Sequence, residues 1–593
     1  MLALCFVVYF LCLPSTLQEL DSNELVMAGY GLYVPHPPGY PLFTWFNYLL
    51  THLLPGDTIY WRAAWGSLLF MGGVLFLLGK SLQSLHRMLP LWLLSFAFIP
   101  VVWRYAIIPD VFAAHLFLVT LFLYFYLRYP FKNPDSRKAL ILVVLAALGG
   151  AHHQTFVFLY PLLLPIFWKM PAKIWLKGAG LGVVILFLAY SSLRLLHPSS
   201  IFSWGNLDSA GAIWRHFLRQ EYGSWQLRPG SERPFMFWLP QIKFWGKNFG
   251  LYLLPFLMGG CVPLLSGRGK KVGAVYYYLL AVLLFYILVF LGSINFGTDH
   301  LYGIVAQRFH LMSGVLIIFW FMASLPAWPQ RVKIWGPVMS GLLGLLGLGQ
   351  IAVNYAEQNL SRNTIIEDAA RNMFDNLPVG KPIIFISHGD TVYFALRYLQ
   401  ALENLRPDIL VMNNGKLFPG REFSKYPAPF NRFQIAAAFK IKVYDFEKDI
   451  LRPNLATFTI CTDQYLTTPD AHTAYYPLGR CFTPGQGLSF GDPFPFKWWR
   501  HDPDIIQSYG PEFREDLAVF SLYAIFYLQR GITAHEQGRL QDAHLFFEQT
   551  LALVPYALPA QYNLCQLLND SRKKASCLAK YEVQRSISFD YLH

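Results

Sequence analysis

The sequence predicts a polytopic α-helical membrane protein with about eleven spans, followed by an α/β domain and a helical C-terminal segment. Of the 593 residues, 54% are hydrophobic and only 14% are charged, whereas an average soluble domain carries roughly 25% charged residues. The apolar residues are concentrated in residues 1–353, and the remainder reads as ordinary globular sequence. We therefore expect a transmembrane region at 1–353, an α/β domain at 354–515 and a helical segment with its tail at 516–593.

The predicted spans are apolar runs that approach the length needed to cross a bilayer, which is about 20 residues. The first run lacks the basic start and the small-residue cleavage site of a signal peptide, so we expect it to be a retained span. The runs at 139–151 and 154–168 are short, and a single bent helix or a re-entrant pair is the alternative to two spans. The runs lie near 1–18, 61–79, 90–108, 110–128, 139–151, 154–168, 175–196, 247–266, 273–293, 311–326 and 335–353.

Charge in the connecting loops predicts the orientation of the chain. Alternate loops are rich in Lys and Arg and contain a single acid, Asp135, whereas residues 19–60 contain four acids and neither Lys nor Arg. Because basic loops remain in the cytosol, residues 19–60, the loops at 197–246 and 294–310, and the C-terminal region are expected on the opposite side. These basic loops account for the net charge of +13, so we expect no nucleic-acid partner.

Two features of the C-terminal region agree with a lumenal location. Asn359 and Asn569 each begin an Asn-X-Ser tripeptide, the acceptor sequence for N-glycosylation. An even number of cysteines in this region also fits disulfides in an oxidising compartment. These cysteines are Cys461, Cys481, Cys565 and Cys577.

The α/β prediction depends on an alternation of short apolar runs with a helical pattern. Residues 382–388 and 409–412 are compact and apolar, and the pattern between them, 392–405, has helical periodicity. This order is typical of a βαβ unit, and 456–461 resembles a further strand. Asp390 follows the first strand, where it is either a ligand-site residue or a plain turn or helix cap.

Residues 524–557 resemble one tetratricopeptide repeat, a 34-residue helical motif. A single repeat cannot bury its own apolar face, so we expect a helical cap that docks on the preceding domain or on a partner. The matching positions are Gly531, Ala534, Gly538, Ala543, Phe547 and Pro555.

The loop after the first apolar run carries the residues that best suggest chemistry. Asp21 and Glu24 lie at the membrane–water boundary, where partial desolvation can give a carboxylate the strength of a useful base. An isolated pair of this kind is more often a helix N-cap and a solvated surface charge. The segment 36–41, which contains His36 and Tyr40, is too rich in proline for regular helix, so we expect a rigid loop that lines a cleft.

Other ionisable residues fall on the same predicted side, at the ends of spans. Such groups near membrane depth are functional candidates, although each alone is more often an interfacial anchor or a packed structural residue. A carboxylate could accept the proton of an attacking hydroxyl, and cations could neutralise a departing phosphate. Adjacent histidines point in different directions on a helix, so a metal site at His152 and His153 is disfavoured and no metal is expected. The group comprises Arg104, Asp110, His152, His153, Asp299, His300, Arg308 and His310.

The first loop resembles the signature of a known family. Asp21-Ser-Asn-Glu24-Leu, followed by His36-Pro-Pro-Gly-Tyr-Pro-Leu-Phe43, is similar to the transmembrane protein O-mannosyltransferases that act on IPT domains. These enzymes belong to the GT-C superfamily of membrane glycosyltransferases. Further similar stretches are 103–112, 150–155, 204–206, 220–223, 308–309, 389–390, 398–400 and 406–408.

The resemblance implies a GT-C fold and transfer of mannose, with inversion, from a dolichyl- or polyprenyl-phosphate donor. It implies Ser or Thr acceptors in the folded IPT domains of plexins and related receptors. It also implies a multi-pass protein of the endoplasmic reticulum membrane, with a lumenal C-terminal domain and no cofactor besides the lipid-linked sugar. Asp21 would be the base, with Glu24 as its support or the alternative base. The donor- or substrate-binding residues would be His36, Tyr40, Arg104, His152, His153 and Arg308.

Two other classes of protein were weighed against this interpretation. A transporter or lipid scramblase would show inverted repeats and charges in mid-membrane, whereas the polar groups here lie at helix ends on one side. A scaffold that uses the tetratricopeptide-like segment would leave the first loop without explanation.

Overall fold

The computed structural model describes the chain except for fifteen stretches, and nothing is said below of the structure within them. Most of the described residues before 359 are helical. The stretches left out are 84–88, 206, 221–244, 293–299, 329–335, 376, 378–381, 388–389, 414–425, 435–451, 463–474, 479–480, 485–524, 554–556 and 588–593.

The N-terminal region is a bundle of helices of very unequal length. Short 3₁₀ or π turns extend or join several of them. The α-helices are Leu2–Leu11, Ser22–Gly31, Pro41–Leu53, Ile59–Gln83, Leu93–Ala97, Pro100–Ile107, Val111–Leu127, Ser136–His152, Leu164–Phe167, Ala172–Ser191, Ala210–Phe217, Leu251–Leu265, Ala274–Phe285, His300–Ser324 and Gly336–Gln358.

Four helical segments within the described residues are long and apolar enough to cross a membrane. A fifth is obtained if Pro100–Ile107 and Val111–Leu127, which meet at an angle of 108°, count as one broken span. The predicted class, a multi-spanning helical membrane protein, is therefore confirmed, whereas the count of eleven is not. The four segments are Ile59–Gln83, Ala172–Arg194, Ala274–Leu291 and Ala306–Ala327.

Several predicted spans differ from the helices found. The run at 1–18 contains a ten-residue helix, Leu2–Leu11, which is about half the length that a bilayer core requires. Pro14 follows closely, and proline cannot continue a helix. The run at 90–108 is broken into Leu93–Ala97 and Pro100–Ile107, because Pro100 has no N–H to donate.

The doubtful pair at 139–168 consists of two segments that fold back on each other. Ser136–His152 is a regular α-helix, and a 3₁₀ helix begins at Gln154 after the extended backbone of His153. The Tyr160 hydroxyl donates to the Ala146 carbonyl at 3.3 Å. This contact places the second segment alongside the first.

The helix His300–Ser324 lies at the centre of the N-terminal bundle. Its apolar part is almost entirely buried, whereas that of Ala172–Arg194 is almost entirely exposed, as expected for a helix that faces lipid. The central helix packs against Leu251–Leu265, Ala274–Phe285 and Val111–Leu127. The first turns of this central helix therefore bring Arg308 into the interior of the bundle.

The C-terminal domain contains a five-stranded sheet in the order β2-β1-β3-β5-β4. β1 pairs in parallel with β2 and β3, and β5 pairs antiparallel with β3 and β4. Helices Ile365–Asp375 and Asp390–Glu403 accompany the sheet. The predicted βαβ unit and third strand are present. The strands are β1 (Ile383–Ser387), β2 (Ile409–Asn413), β3 (Thr459–Thr462), β4 (Tyr475–Leu478) and β5 (Cys481–Pro484).

Helices also occupy the segment that resembles a tetratricopeptide repeat. Gly531 allows close packing of the first two helices, because a Cβ there would lie 2.5 Å from the Phe547 ring. The helical pair is thus found, while its assignment to the tetratricopeptide class stays a prediction. The helices are Ile525–Glu536, Leu540–Leu553, Leu558–Gln566 and Ser571–Ile587.

The predicted disulfides are partly confirmed. Cys565 and Cys577 are bonded to each other, and Cys461 is also disulfide-bonded. Glycosylation at Asn359 and Asn569 stays a prediction.

The C-terminal domain packs directly on the first loop of the membrane region. Helix Asp390–Glu403 lies against helix Ser22–Gly31. The Tyr60 hydroxyl donates to Ser22 Oγ at 2.8 Å, and its ring meets Tyr398 of the domain. The two regions therefore hold the start of helix Ser22–Gly31 between them.

Candidate active site

A tight loop presents two acidic side chains at the start of helix Ser22–Gly31. The Gln18 N–H donates to Asn23 Oδ1 at 3.0 Å, and the Asn23 amide donates back to the Gln18 carbonyl. Both side chains are buried. Leu20 adopts a left-handed conformation, with φ of 60°. This closed loop fixes Glu19 and Asp21 on either side of Leu20.

Asp21 faces Arg308 of the central helix. Arg308 Nη1 donates to Asp21 Oδ2 at 2.8 Å, and the two side chains are 14% and 20% exposed. The guanidinium also lies over the Phe112 ring, 5.2 Å from its centroid. A charge-assisted bond of this length, largely shielded from water, is a strong one.

Glu19 faces a second arginine. Arg104 Nη1 lies 3.9 Å from Glu19 Oε1, and both side chains are largely buried. Arg104 was predicted from the sequence as a site residue, whereas Glu19 was not, because it lies between an apolar run and the more recognisable motif. Two arginines from different helices thus converge on one short acidic loop.

Asp110 adds a further carboxylate to the charged cluster. It is buried at the break between Pro100–Ile107 and Val111–Leu127, and its carboxylate accepts from the Phe112 N–H at 3.4 Å. Arg308 and Asp21 both lie within electrostatic range of it. Asp110 therefore caps helix Val111–Leu127, and its negative charge also acts on Arg308.

Glu24 has a different environment from Asp21. Glu24 is only 3% exposed, and its carboxylate accepts from the His36 N–H at 2.9 Å and also contacts His36 Nδ1. His36 Nε2 lies 3.5 Å from the Tyr40 hydroxyl. Glu24 is therefore engaged in holding the Pro-rich loop, whereas Asp21 is partly open to solvent.

The Pro-rich loop is covered by the segment that follows the span Ala172–Arg194. The Trp204 N–H donates to the Val34 carbonyl at 2.8 Å, and the His197 N–H donates to the Leu32 carbonyl at 2.7 Å. Gly39 has φ of 92°, and a Cβ there would lie 3.0 Å from both His216 Nε2 and Leu193 Cδ1. The loop is thus rigid, as predicted, and only glycine fits at 39.

His216 anchors this cover and was not singled out from the sequence. Its Nε2 lies 3.2 Å from the Pro35 carbonyl, to which it donates. Burial and the nearby His36 together lower the pKa of His216 to about 3, against the opposing effect of the bond to the Pro35 carbonyl. His216 is therefore a neutral, structural histidine at neutral pH.

Tyr40 and His153 lie together near Arg308. Their rings stack with centroids 6.0 Å apart, and the Phe112 ring lies 5.1 Å from His153. Burial raises the pKa of the Tyr40 hydroxyl, against the opposing effect of Arg219. His152, in contrast, bonds to the Val111 carbonyl at 3.0 Å, which supports the helix break rather than an open surface.

The structure thus brings together most of the residues chosen from the sequence. Arg308 and His153 contact the Phe112 ring, Asp21 bonds to Arg308, and Tyr40 stacks on His153. Arg104 lies beside the same acidic loop. Glu24 and His36 hold the Pro-rich loop in place, and His152 bonds to the Val111 carbonyl. Among the described residues, no group of three or more His, Cys, Asp or Glu side chains has an arrangement that could hold a metal ion.

The Pro-rich loop, and the part of the acidic loop from Asp21 onwards, lie within a segment that matches a known domain. Residues 21–90 match the family model of the Protein O-mannosyl-transferase TMEM260 N-terminal domain. The predicted resemblance to the transmembrane protein O-mannosyltransferases is confirmed. Asp21 is the first residue of the match.

Two curated relatives support the same resemblance over more of the chain. Protein O-mannosyl-transferase tmem260 of Dictyostelium discoideum is 27% identical over 473 residues, which are 69% of this chain and 56% of the relative. Protein O-mannosyl-transferase TMEM260 of Mus musculus is 27% identical over 437 residues, which are 68% of this chain and 61% of the relative. The chain therefore matches only about three fifths of the length of these relatives.

One solved structure matches the chain at low similarity. The crystal structure of ArnT from Cupriavidus metallidurans in the apo state superposes with a TM-score of 0.34 and 14% sequence identity. The superposition covers 69% of this chain and 88% of ArnT.

Proposed function

We propose that this chain is an inverting protein O-mannosyltransferase of the endoplasmic reticulum membrane, with a GT-C fold. Its donor is mannose on dolichyl or polyprenyl phosphate, and its acceptor is a Ser or Thr of a folded IPT-type domain. The observation that carries the proposal is the bond between Asp21 and Arg308. It pairs a partly exposed acid, at the start of the segment that matches an O-mannosyltransferase domain, with a cation of the central helix.

The reaction is a single displacement at the anomeric carbon of mannose. The acceptor hydroxyl oxygen attacks this carbon, and the bond between the carbon and the phosphate oxygen breaks. The hydroxyl proton passes to the Asp21 carboxylate, and the bonding electrons leave with the lipid phosphate. One displacement inverts the configuration at that carbon.

The two arginines supply what the leaving phosphate needs. Arg308 and Arg104 come from helices on different sides of the acidic loop, and each is already partnered with one carboxylate. A guanidinium matches the geometry of phosphate oxygens and remains charged at any relevant pH. As Asp21 takes a proton and loses its charge, Arg308 is free to stabilise the phosphate dianion.

Glu24 supports the base rather than replacing it. Its carboxylate is buried and already bonded to two atoms of His36, so an acceptor hydroxyl cannot approach it without breaking those bonds. The Pro-rich loop that Glu24 holds carries Tyr40, which we assign to donor binding together with His153. The C-terminal domain packs on the same helix, and we assign acceptor recognition to that domain.

The proposal is tested by mannosyl transfer in a reconstituted system. The protein in phospholipid vesicles would be given a purified, folded IPT domain and dolichyl-phosphate mannose, with GDP-mannose in a parallel reaction. We expect mass increase of the acceptor by one hexose with the lipid donor alone. No transfer from the lipid donor, or equal transfer from GDP-mannose, would overturn the proposal. Uptake of mannose by the same vesicles without any transfer would favour a transporter instead.

A further inference from the structure

Helix Asp390–Glu403 of the C-terminal domain lies against helix Ser22–Gly31 and contacts structure at both of its ends. At the start of Ser22–Gly31, Thr391 Oγ1 accepts from the Leu20 N–H of the acidic loop at 3.5 Å. About two helical turns further along, Arg397 contacts the segment that covers the Pro-rich loop. One helix of the domain therefore touches both loops' surroundings.

Arg397 is buried and bonds to residues 197–204, which we call the cover segment. Its Nη2 donates to the Ile201 carbonyl, 196 positions away in the sequence, and its guanidinium lies over the Phe202 ring, 4.6 Å from the centroid. A guanidinium over an aromatic face is attractive, and more so where water is excluded. The Phe202 ring also meets Tyr33, with centroids 5.4 Å apart. Arg397 thus joins the C-terminal domain to the cover segment.

The cover segment bonds in turn to residues 32–34, which lead into the Pro-rich loop. The Val34 N–H donates to Ser203 Oγ at 3.0 Å. The N–H groups of His197 and Trp204 donate to carbonyls of the same short stretch, at 2.7 and 2.8 Å. Three hydrogen bonds from one segment therefore fix the entry to the Pro-rich loop.

The acidic loop and the Pro-rich loop depend on different contacts. The acidic loop is closed by reciprocal bonds between Gln18 and Asn23, which involve no residue of the C-terminal domain. The Pro-rich loop is entered through residues that the cover segment bonds, and the cover segment is bonded by Arg397. Loss of the Arg397 contacts should therefore loosen the loop that carries Tyr40 and leave Asp21 in place.

We propose that Arg397 is a positioning residue, which holds the Pro-rich loop in the conformation that binds the lipid-linked donor and acts through the cover segment. The inference rests on the proposed function, because it takes from there the assignment of Tyr40 to donor binding. A loop that is held in its bound conformation before the ligand arrives gives higher affinity, since less ordering is required on binding. The C-terminal domain thus supports the donor side of the site.

The test compares two arginines of the C-terminal domain. Arg397→Met removes the charge and the N–H donors and keeps an unbranched side chain. Arg371→Met is the matched control, because it makes the same change where the arginine bonds Glu367 and Glu403 within the domain. Amide hydrogen exchange is measured on the full chain in vesicles. Steady-state transfer is measured with dolichyl-phosphate mannose and the folded IPT domain varied separately.

In R397M, we expect the Val34 and Trp204 amides to exchange about tenfold faster, because the segment that protects them opens more often. The KM for dolichyl-phosphate mannose should rise about tenfold, a change within the range for loss of one hydrogen bond to a charged group. The kcat and the KM for the acceptor should stay within about threefold of the wild type, since the acidic loop keeps its own bonds. R371M should match the wild type in all four values.

Unchanged exchange at both amides in R397M, or a fall in kcat at an unchanged donor KM, would overturn the inference and leave the proposed function intact. The same changes in R371M would also overturn it, because they would then reflect a weakened domain. If the wild type transfers no mannose from the lipid donor, the proposed function fails, and the role of Arg397 in donor positioning fails with it.

A second variant serves if R397M does not fold. Phe202→Leu removes the aromatic face under the guanidinium from the side of the cover segment. Faster exchange at Val34 together with a raised donor KM in F202L supports the inference, and wild-type values of both overturn it.

Discussion

Arg308 and Asp21 are 287 positions apart in the sequence and are joined by a hydrogen bond of 2.8 Å. The arginine lies in the most central helix of the bundle, and the aspartate lies at the start of a helix that the C-terminal domain packs upon. The bond therefore lies next to the surface on which the C-terminal domain packs.

Replacing Arg308 by lysine should lower transfer although the charge is retained. Lysine cannot reproduce the planar fork that bonds Asp21 and leaves further N–H groups for a phosphate. We expect kcat to fall by about ten- to a hundredfold, within the range found when one charge-stabilising donor is lost. Steady-state transfer from dolichyl-phosphate mannose measures this. Arg137→Lys, at an exposed position in the first turn of helix Ser136–His152, is the matched control, and equal rates for the two variants would contradict the assignment.

Glu24→Gln should act mainly on stability. The amide oxygen can still accept from the His36 N–H, but the charge that bonds His36 Nδ1 is lost. We expect the free energy of unfolding to fall by about 1–3 kcal/mol, the usual effect of weakening a buried bond to a charged group. Thermal unfolding in detergent measures this effect. A variant as stable as the wild type but without any transfer activity would instead point to Glu24 as a base.

Gly39→Ala should disturb the loop through its backbone and its contacts. The left-handed φ and the Cβ approach of 3.0 Å to His216 and Leu193 both oppose a side chain, so we expect a loss of about 1–2 kcal/mol from the conformation alone. Gly72→Ala is the control, because a Cβ there would meet nothing within 4 Å. That helical substitution should stabilise by about 0.5–1 kcal/mol. We expect the unfolding midpoint to fall in Gly39→Ala and to rise in Gly72→Ala. Equal shifts in the two variants would contradict this account of Gly39.

His216 should make the fold sensitive to mild acid. Its pKa is about 3 in the folded chain and about 6.5 when unfolded. Below pH 6.5 the unfolded chain therefore binds a proton that the folded chain does not. The free energy of unfolding then falls towards pH 3, by up to about 1.4 kcal/mol per pH unit from this group.

The matched variant for the pH prediction is His216→Gln, which keeps a donor near the Pro35 carbonyl. Its unfolding midpoint should depend less steeply on pH between 6.5 and 5 than that of the wild type. Parallel pH profiles for the two proteins would show that His216 is not a buried neutral group.

The sequence was sufficient for the class of fold and for part of the site. Long apolar runs, the Pro-rich loop and the strand–helix–strand alternation each have a local physical cause, so they could be predicted. Proline positions explain two of the differences, since Pro14 and Pro100 break runs that composition alone treats as continuous. The count of spans depends on such breaks and on packing, which hydropathy does not describe.

Partnerships between distant residues could not be predicted. Nothing local indicates that Asp21 meets Arg308 while Glu24 turns inward to His36, because both acids have similar neighbours in the sequence. His216 was missed because its partner, the Pro35 carbonyl, is 181 positions away in the sequence.

The measurement that tests the central claim most directly is the rate of mannosyl transfer by Asp21→Asn, in vesicles containing dolichyl-phosphate mannose and a folded IPT domain. Asp57→Asn is the control, because it makes the same change at an exposed acid of the same predicted loop. We expect Asp57→Asn to match the wild type and Asp21→Asn to lose a factor of about 10²–10⁴, the contribution of a positioned base, with unchanged unfolding temperature. A folded Asp21→Asn protein that transfers mannose within a few-fold of the wild-type rate would contradict the account.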